Sequence, residues 1–282
     1  MEEAEQEMSR YLDLLQNEYA KKNTILCFGM DPIVERMKID TSKNLADEIV
    51  NYFIRIFDAI AGKISAVKPN AAFYLQYGMD GLSALVQIIA KVKSAGMPVI
   101  IDAKLGDIGR TAAAYARYIF EYLGGDSVTL NPYLGYDSLE PFFKYHEKGF
   151  YILALTSNRG AADFQLGRLE TGEHLYEHVL RAVCGWSGSV SSSGAVIGAT
   201  HNEFRGCIEL LGSIKCSVPL LIPGVGAQGG SYSNIKEILE ELEYNTGIVR
   251  INASSSISYA HEQFQSLTVE EASSRAVEEM LG

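Results

Sequence analysis

The residues with the clearest capacity for chemistry are Asp102 and Lys104, which lie two positions apart at the end of an apolar run, with Asp107 three positions further on. In an extended strand, residues two apart project to the same side, so the carboxylate and the ammonium group should meet. Neighbouring carboxylates favour the charged form of a lysine, which leaves its proton placed for delivery to a carbanion formed on a substrate. An ion-pair network that only stabilises the strand end has the same spacing, and the spacing alone leaves both interpretations open.

A second candidate is the glycine-rich segment that follows a later apolar run, with the sequence Pro223-Gly224-Val225-Gly226-Ala227-Gln228-Gly229-Gly230. Glycines let the backbone approach an anion closely, and consecutive N–H groups can converge on phosphate oxygens. In a (β/α)₈ barrel, the loop after the seventh strand is a frequent phosphate site. A flexible connector is the alternative, and it is weakened because the segment lies directly between an apolar strand and the helical pattern of residues 235–242.

Polar side chains also follow other apolar runs, at the point where each predicted strand ends. They are Asp31 after the first run, Lys68 and Asn70 after the second, and Ser157 and Asn158 after the fifth. A single polar residue at a strand end is usually solvated or caps a helix. Several such strand ends together indicate a shared site, because a parallel barrel gathers the carboxyl ends of its strands on one face.

The elements that must position these residues are eight short apolar runs, each followed by a polar or glycine-containing segment and then a helical pattern. The runs cover residues 24–29, 64–68, 98–103, 127–130, 150–155, 195–199, 218–222 and 247–251. Near-continuous apolar character is typical of parallel strands that are buried on both faces. Eight strands alternating with helices predict an α/β protein with one (β/α)₈ TIM barrel domain over residues 1–282, and the pattern alone leaves an open α/β sheet as the alternative.

Two further segments are predicted outside this repeating pattern. An amphipathic N-terminal helix that covers one end of the barrel is predicted from the helical spacing of Met8, Tyr11, Leu12, Leu15 and Tyr19. Residues 159–194, after the fifth strand, predict a long βα excursion with its own helical stretch and a serine-rich end, rather than a separate domain.

Composition limits the class of the protein and its partners. The 282 residues are 47% hydrophobic and 21% charged, which is typical of a globular protein long enough for one such barrel. The formal net charge of −11 argues against nucleic-acid binding, because phosphate neutralisation needs a basic surface. No apolar run approaches the roughly 20 residues needed to span a bilayer, and the N-terminus has no apolar signal segment. We therefore expect a soluble, cytoplasmic protein without nucleic-acid or membrane partners.

The four cysteines are Cys27, Cys184, Cys207 and Cys216, and they show neither Cys-x-x-Cys spacing nor histidines at zinc-finger spacing. This distribution is typical of reduced, mostly buried thiols in a cytosolic protein. We therefore expect all four thiols to be free.

Taken in order, these motifs resemble those of one known family. Asp102-x-Lys104-x-x-Asp107-Ile108, followed by Gly109-Arg110-Thr111, is similar to the signature of orotidine 5′-phosphate decarboxylases, and segment 223–230 is similar to the phosphate loop of that family. The Asp-x-Lys-x-x-Asp element is shared with sugar-phosphate decarboxylases and is moderately specific by itself. Segments 27–31, 68–74, 131–135 and 155–160 resemble the longer bacterial subgroup, so the resemblance extends over nearly the whole chain.

The resemblance implies a barrel enzyme that converts orotidine 5′-phosphate to uridine 5′-phosphate and CO₂ without a metal or another cofactor. It implies that Lys104 protonates C6 of the pyrimidine. Asp102 would hold Lys104 and lie near the departing carboxylate, and Lys68 would complete the charged network.

For substrate binding, the resemblance implies Asp31 at the ribose hydroxyls, Ser157 at the pyrimidine, and Gln228 with the loop amides at the phosphate. Other residues of the matching segments that are expected to contact the substrate are Asn70, Asn158, Pro223, Gly224, Gly229 and Ser255. Family members are dimers, and the resemblance implies that Asp107, Ile108 and Thr111 act in the active site of the neighbouring subunit of a homodimer.

One position departs from the family pattern. Family members usually carry a phosphate-binding arginine after strand eight, in a pattern such as Asn-x-Ser-Arg-x-Ile, where this chain has Asn252-Ala253-Ser254-Ser255-Ser256-Ile257. Ser255 therefore stands in the place of the arginine. Arg250 is five positions away, an odd spacing that predicts the opposite face of an extended strand. The loss of a bidentate phosphate contact is expected to raise KM without removing the chemistry of Asp102 and Lys104.

Three functions remain open at this point. The first is a working decarboxylase with altered phosphate binding, which the retention of Lys68, Asp102, Lys104 and Asp107 favours. The second is a related enzyme that acts on another phosphorylated substrate, such as a keto-sugar phosphate; such enzymes usually bind a metal, and no additional acidic ligand is evident. The third is a catalytically weak homologue that only binds nucleotide, which the serine at position 255 motivates.

Overall fold

Eight short parallel strands follow one another along the chain in a computed structural model, which describes residues 10–188, 190, 192–200, 202–226 and 230–282. They are β1 (Leu26–Phe28), β2 (Ala66–Val67), β3 (Ile100–Leu105), β4 (Ser127–Leu130), β5 (Gly149–Leu155), β6 (Ser193–Ile197), β7 (Leu220–Ile222) and β8 (Val249–Ala253). Each strand overlaps one of the eight apolar runs, so the number and order of the predicted strands are confirmed.

The strands close into a ring. β1 pairs with both β2 and β8, and the remaining neighbours pair in order from β8 back to β3. The seam between β2 and β3 is bridged by the parallel pairs Val67–Val99 and Asn70–Asp102, and the Asp102 N–H donates to the carbonyl of Pro69 at 3.0 Å. This closure confirms the (β/α)₈ barrel and is incompatible with an open sheet.

Helices cover the outside and the ends of the barrel. They are α1 (Arg10–Lys22), α2 (Leu45–Ile60), α3 (Ala71–Leu75), α4 (Gly78–Ser94), α5 (Gly109–Arg117), α6 (Tyr136–Phe143), α7 (Leu175–Ser187), α8 (Phe204–Ser213), α9 (Tyr232–Glu241), α10 (Ser255–Ser258) and α11 (Val269–Leu281). α2 illustrates why they form. The Asn44 side chain accepts a hydrogen bond from the Asp47 N–H at 3.0 Å, and the buried residues of α2 recur every three or four positions. Among the described residues, none of the helices combines the length and the apolar character that a membrane span requires.

The alternation of side chains along the strands separates two apolar layers. Outward-facing residues pack under the helices, whereas Cys27, Ile100 and Tyr151 belong to a smaller cluster inside the barrel. Asp102 lies two positions after Ile100 on β3, so its side chain also faces the interior of the barrel, but nearer the carboxyl end of the strand. The interior of the barrel is therefore apolar at one end and charged at the other.

α1 covers the amino-terminal end of the barrel. Tyr11 and Leu15 are fully buried and join the interior cluster, and the Tyr11 hydroxyl lies 2.9 Å from the hydroxyl of Tyr151 on β5. The helix expected near the N-terminus thus spans Arg10–Lys22, while Met8 lies outside the described residues.

The chain between β5 and β6 contains a 3₁₀ turn at Arg159–Asp163 and then α7. α7 buries Tyr176, Leu180 and Val183 and packs against both neighbouring strands. The segment expected as a βα excursion therefore contributes one helix to the outer layer of the barrel.

The expectation of four free thiols is wrong for one pair. Cys184 in α7 and Cys216 in the segment before β7 form a disulfide, and their Cα atoms are 6.0 Å apart, within the usual range. Cys27 and Cys207 are free and buried, and burial raises the pKa of each thiol to about 12. The paired cysteines are 32 residues apart and meet only through the packing of the outer layer, which their spacing in the sequence does not reveal.

Candidate active site

The carboxyl ends of the strands surround a cavity of about 560 Å³. The predicted site residues that line it are Asp31, Lys68, Asn70, Asp102, Lys104, Ser157, Asn158, Pro223, Gly224 and Ser255. They follow or end six different strands, so the parallel barrel brings together residues that are up to 224 positions apart in the sequence (from 31 to 255).

Asp102 lies between two ammonium groups. Lys104 Nζ is 2.6 Å from Asp102 Oδ1, and Lys68 Nζ is 2.8 Å from Asp102 Oδ2. The Lys68 side chain is almost fully buried, whereas that of Lys104 is 47% exposed. The side chains of Asp102 and Lys104 therefore meet, and Lys104 is the cation of this cluster that remains accessible from the cavity.

Thr129 on β4 completes the surroundings of Asp102. Its hydroxyl donates to Asp102 Oδ1 at 2.9 Å and accepts from the backbone N–H groups of Ala103 at 3.0 Å and Lys104 at 2.9 Å. These bonds lie at an irregularity of β3, where the register against β4 shifts and Lys104 has a φ of +48°. Positive φ is uncommon for a residue with a side chain and persists where the surroundings enforce it. Thr129 thus fixes both the carboxylate and the backbone that carries Lys104.

Burial and charge act in opposite directions on this cluster. Burial alone would raise the pKa of Asp102, but the ammonium groups of Lys68 and Lys104 outweigh it and hold that pKa well below its usual value. For Lys68, burial alone would lower the pKa, but the carboxylates of Asp102 and Asp31 outweigh it, so the pKa is raised. At neutral pH Asp102 is therefore ionised and Lys68 is protonated.

Asp31 and Asn70 join the loops that follow β1 and β2. The Asn70 N–H donates to Asp31 Oδ1 at 3.1 Å, and the Asn70 side-chain oxygen accepts from the Ala72 N–H at 3.1 Å, which caps α3. Asn70 also forms the bridge to Asp102 across the seam of the barrel. The carboxylate of Asp31 is thereby placed on the cavity wall beside the charged cluster.

Ser157 and Asn158 lie in the loop after β5. The Thr156 hydroxyl donates to Asn158 Oδ1 at 2.6 Å, and the Thr156 N–H donates to Gln165 Oε1 at 2.7 Å. Gly198, just after β6, approaches this loop so closely that a Cβ there would lie 2.8 Å from the backbone of Ser157. The glycine therefore lets the loop lie across the end of β6, with Ser157 and Asn158 on the cavity wall.

The glycine-rich segment begins at the cavity wall directly after β7. Gly224 and Gly226 have φ values of +99° and +82°, a region that favours glycine. The Gly230 N–H donates to the Gly224 carbonyl at 3.1 Å, and the Gly226 N–H donates to the Gly230 carbonyl at 3.1 Å, so the two ends of the segment are joined. Gln228 and Gly229, which were predicted to bind phosphate, lie outside the described residues.

Asp107, Ile108 and Thr111 follow β3 but do not line the cavity of their own chain. Asp107 Oδ1 accepts from the Ile108 N–H at 2.8 Å, and Ile108 is 59% exposed. Within the described chain, the ion pair of Lys104 is with Asp102 and not with Asp107. Asp107 therefore makes no ion pair with Lys104 among the described residues of one subunit.

Arg250 lies at the other end of β8, away from the cavity. Its fully buried guanidinium donates to the backbone carbonyls of Leu15 and Ser65, at the end of the barrel that α1 covers. The spacing of five residues predicted that Arg250 and Ser255 lie on opposite faces of an extended strand, and this is not why they are apart. Arg250 faces inward, like Asn252 two positions later, and it is distant because it lies deeper along β8, while Ser255 is already in α10.

Several cavity residues were not predicted from the sequence, and those with polar side chains include Thr129, Asn252, Arg36 and Tyr259. Thr129 and Asn252 have a usable signal, because each is a polar residue two positions after another polar residue of its strand, Ser127 or Arg250, and so shares its inward-facing side. Arg36 ends a single 3₁₀ turn and Tyr259 lies between two short helical turns, and segments this short have no periodicity that indicates the direction of a side chain.

One family model, described as the orotidine 5′-phosphate decarboxylase / HUMPS family, matches residues 24–267. An orotidine 5′-phosphate decarboxylase of Thermomicrobium roseum is 38% identical over 252 residues, which cover 89% of this chain and 87% of that protein. Another, from Roseiflexus castenholzii, is 42% identical over 210 residues, 73% of each protein. Among solved structures, OMP decarboxylase of Leishmania donovani has a TM-score of 0.77 and 31% identity, with 97% of both chains covered.

Proposed function

We propose that this chain, which belongs to the orotidine 5′-phosphate decarboxylase / HUMPS family, uses Lys104 to protonate C6 of the pyrimidine of its substrate. The enzyme is a carboxy-lyase that converts orotidine 5′-phosphate to uridine 5′-phosphate and CO₂ in pyrimidine biosynthesis. The observation that carries the proposal is the Asp102 carboxylate held between Lys68 and Lys104 at the cavity. Of the two lysines, Lys104 is the one whose ammonium a bound substrate can reach.

The chemical difficulty is the electron pair that remains on C6 when the C6–carboxylate bond breaks and CO₂ leaves. An ammonium group held beside C6 stabilises this developing charge, and a charge already in position needs no reorganisation during the reaction. Lys104 then transfers its proton to C6, which forms the C6–H bond of the product, and the lysine regains a proton from solvent.

Asp102 and Lys68 prepare Lys104 for this step. The hydrogen bond from Lys104 to Asp102 fixes the direction of the ammonium group, and Lys68 balances the buried carboxylate. Repulsion between Asp102 and the carboxylate of the substrate would add ground-state destabilisation, a contribution that is contested in general. Stabilisation of the charge on C6 by Lys104 does not depend on it.

The rest of the cavity supplies binding energy at a distance from C6. We assign Asp31 to the ribose hydroxyls, Ser157 to the pyrimidine, and the glycine-rich segment to the phosphate. Its contributing residues are Pro223, Gly224, Gln228 and Gly229, and Asn70 and Asn158 contact the substrate from the neighbouring loops. Binding of a remote phosphate lowers the barrier when it holds the reacting group in place, and a loop that closes over it excludes water.

We also propose a homodimer in which each subunit completes the site of the other. Large exposed apolar side chains follow three consecutive strands at the cavity end: Met79 after β2, Ile108 after β3 and Tyr133 after β4 are 78%, 59% and 81% exposed. Apolar side chains exposed after neighbouring strands at one end of the barrel support an interaction site there. Asp107 and Thr111 flank Ile108, and in the dimer they would reach the cavity of the partner subunit.

We place the enzyme in the cytoplasm, where it acts on a small nucleotide and needs no membrane or nucleic-acid partner. Disulfides are unusual in a reducing compartment, so the Cys184–Cys216 bond tests this location. Alkylation of free thiols in intact cells, followed by mass spectrometry, should show this pair at least partly reduced in a cytoplasmic protein. A fully oxidised pair would argue for an oxidising location.

The proposed function is tested by adding the purified protein to orotidine 5′-phosphate with and without a chelator and following the ultraviolet absorbance of the conjugated carboxylate. Sugar-phosphate enzymes of related sequence usually require a metal, and the described residues contain no group of three His, Cys, Asp or Glu side chains suited to hold one. We expect equal turnover in both samples. Absence of turnover at high substrate concentration would contradict the proposal. Binding of uridine 5′-phosphate without turnover would indicate a nucleotide-binding homologue instead.

A further inference from the structure

Three cationic side chains of the described residues line the cavity: Arg36, Lys68 and Lys104. Lys68 and Lys104 are both bound to Asp102, so their charges are committed to the reacting end of the site. Arg36 makes no contact with Asp102 and pairs instead with Glu262. It is therefore the cation of the cavity that is available for a second anionic group of a substrate.

Arg36 is held where the loop after β1 meets the segment after β8. Its guanidinium carbon lies 4.2 Å from the centre of the Tyr259 ring, a cation–π contact. The Tyr259 hydroxyl accepts from the Ile33 N–H at 2.7 Å and donates to the Asp31 carbonyl at 2.7 Å. Tyr259 thus ties the two segments together and supports Arg36 from one face, which leaves the edge of the guanidinium for hydrogen bonds.

The edge of the guanidinium is occupied by an exchangeable partner. Arg36 Nε donates to Glu262 Oε1 at 2.9 Å and a terminal nitrogen donates to Glu262 Oε2 at 2.6 Å. The two side chains are 37% and 46% exposed, and Glu262 does not line the cavity. The bidentate geometry strengthens this pair, but solvent screens both exposed side chains, so an anion of higher charge can replace the carboxylate.

The segment that follows β8 has no cation of its own at the cavity. Residues 254–256 are all serine, and Ser254 and Ser255 line the cavity. A Cβ at Gly226 would lie 2.6 Å from Ser256 Oγ, so the serines lie beside the glycine-rich segment. A phosphate dianion bound there needs positive charge, and a guanidinium matches its geometry with two parallel N–H bonds.

We propose that Arg36 binds the phosphate of the substrate and releases Glu262 as it does so, which supplies from the β1 loop the positive charge that Ser255 does not provide. This inference rests on the proposed function, since it concerns the phosphate of the same substrate. The phosphate competes well with Glu262 because it carries a charge of about −1.5 to −2 at pH 7 and has three acceptor oxygens.

The test compares Arg36→Ala with Arg205→Ala. Arg205 forms a similar bidentate pair with Glu241 on the outer surface, at 40% exposure, so its substitution removes a comparable ion pair away from the cavity. The dissociation constants of uridine 5′-phosphate and of uridine are measured by calorimetry or competition. We expect Arg36→Ala to weaken binding of the nucleotide roughly 10- to 100-fold and to change that of the nucleoside less than about threefold. Arg205→Ala should change neither.

Equal weakening of nucleotide and nucleoside would contradict the inference, because it would indicate a structural role for Arg36. Unchanged binding of both would contradict it as well.

In steady-state assays Arg36→Ala should raise KM more than it lowers kcat. Ser255→Arg in the Arg36→Ala background should restore much of the lost affinity. Failure of the proposed function can be distinguished from failure of this inference. If the proposed function is wrong, the wild-type protein will show no turnover of orotidine 5′-phosphate, whatever the effect of Arg36→Ala on nucleotide binding.

Glu262→Gln provides an independent test. Loss of the competing carboxylate charge should tighten binding of uridine 5′-phosphate severalfold, while binding of uridine stays the same. Weaker binding of the nucleotide in this variant would mean that Glu262 orients Arg36 rather than competes with the phosphate, and it would overturn the proposed exchange.

Discussion

The Thr129 hydroxyl contacts three groups of the site: the Asp102 carboxylate and the backbone N–H groups of Ala103 and Lys104. One small side chain therefore couples the charged cluster to the irregular backbone of β3. A methyl group in the same place would leave the carboxylate with fewer donors and two N–H groups without their acceptor, and buried polar groups without partners are costly.

Thr129→Val should therefore reduce both activity and stability, although the two side chains have nearly the same shape. We expect the free energy of unfolding to fall by about 1–3 kcal/mol and kcat to fall by roughly one to two orders of magnitude, because Lys104 loses its fixed position. Urea denaturation and the absorbance assay measure the two effects. Thr246→Val is a matched control, since Thr246 makes one hydrogen bond with Tyr19 at the other end of the barrel. Wild-type kcat in Thr129→Val would contradict the role of Thr129.

Single side chains differ in how far the sequence reveals them. The encounter of Asp102 with Lys104 follows from their spacing, and a count by two from Ser127 also places Thr129 inside the barrel. The opposite is true of Arg36, whose direction depends on a contact with Tyr259, 223 residues further along the chain (259 minus 36). Such a contact exists only in the folded protein.

The elements of the barrel were predicted well, and their irregularities were not. All eight strands overlap the apolar runs, because parallel strands buried on both faces need continuous apolar sequence. The register shift of β3 and the positive φ of Lys104 depend on hydrogen bonds from the neighbouring strand, and local sequence carries no sign of them. The same holds for the disulfide between α7 and the segment before β7.

The disulfide between α7 and the segment before β7 should stabilise the outer layer of the barrel. It closes a loop over a sequence separation of 32 residues, and loop-closure entropy predicts that reduction lowers the free energy of unfolding by about 3–4 kcal/mol. Denaturant titration with and without a reductant measures the difference, and the double variant Cys184→Ser with Cys216→Ser should be insensitive to the reductant. After treatment with oxidised glutathione, four titratable thiols in the denatured protein, instead of the two from Cys27 and Cys207, would disprove the pairing.

For the whole molecule, the closure of the sheet decides between a barrel and an open sheet. That decision depends on the bridges between β2 and β3, which join strands whose pairing no residue pattern specifies. The composition and the apolar runs are compatible with both arrangements. The number of strands, together with the resemblance over nearly the whole chain, is what made the barrel the better prediction.

The proposed dimer is tested by mixing two inactive variants. Lys104→Ala lacks the proton donor, and Asp107→Asn lacks the carboxylate that would reach the partner subunit. In a mixed dimer, one site combines the intact Lys104 of one chain with the intact Asp107 of the other, so activity should reappear after subunit exchange. With equal amounts and random exchange, half of the dimers are mixed and each has one intact site. The activity should therefore approach a quarter of the wild-type value.

If Asp107 served only its own chain, both sites of every mixed dimer would remain defective, and mixing would restore nothing. Analytical ultracentrifugation gives the control, because the two variants must form dimers for the mixing experiment to report on shared sites. A monomeric wild-type protein with full activity would contradict the proposed assembly.

The role of Lys104 is tested by the turnover of orotidine 5′-phosphate by Lys104→Ala, measured beside the affinity of this variant for uridine 5′-phosphate and its circular dichroism spectrum. Lys144→Ala, which removes an exposed lysine paired with Glu140, is the matched control. If the Lys104 ammonium stabilises and protonates C6, kcat should fall by about 10³-fold or more, while product binding stays within about tenfold and the spectrum is unchanged. Turnover by Lys104→Ala within tenfold of the wild-type rate would contradict the claim.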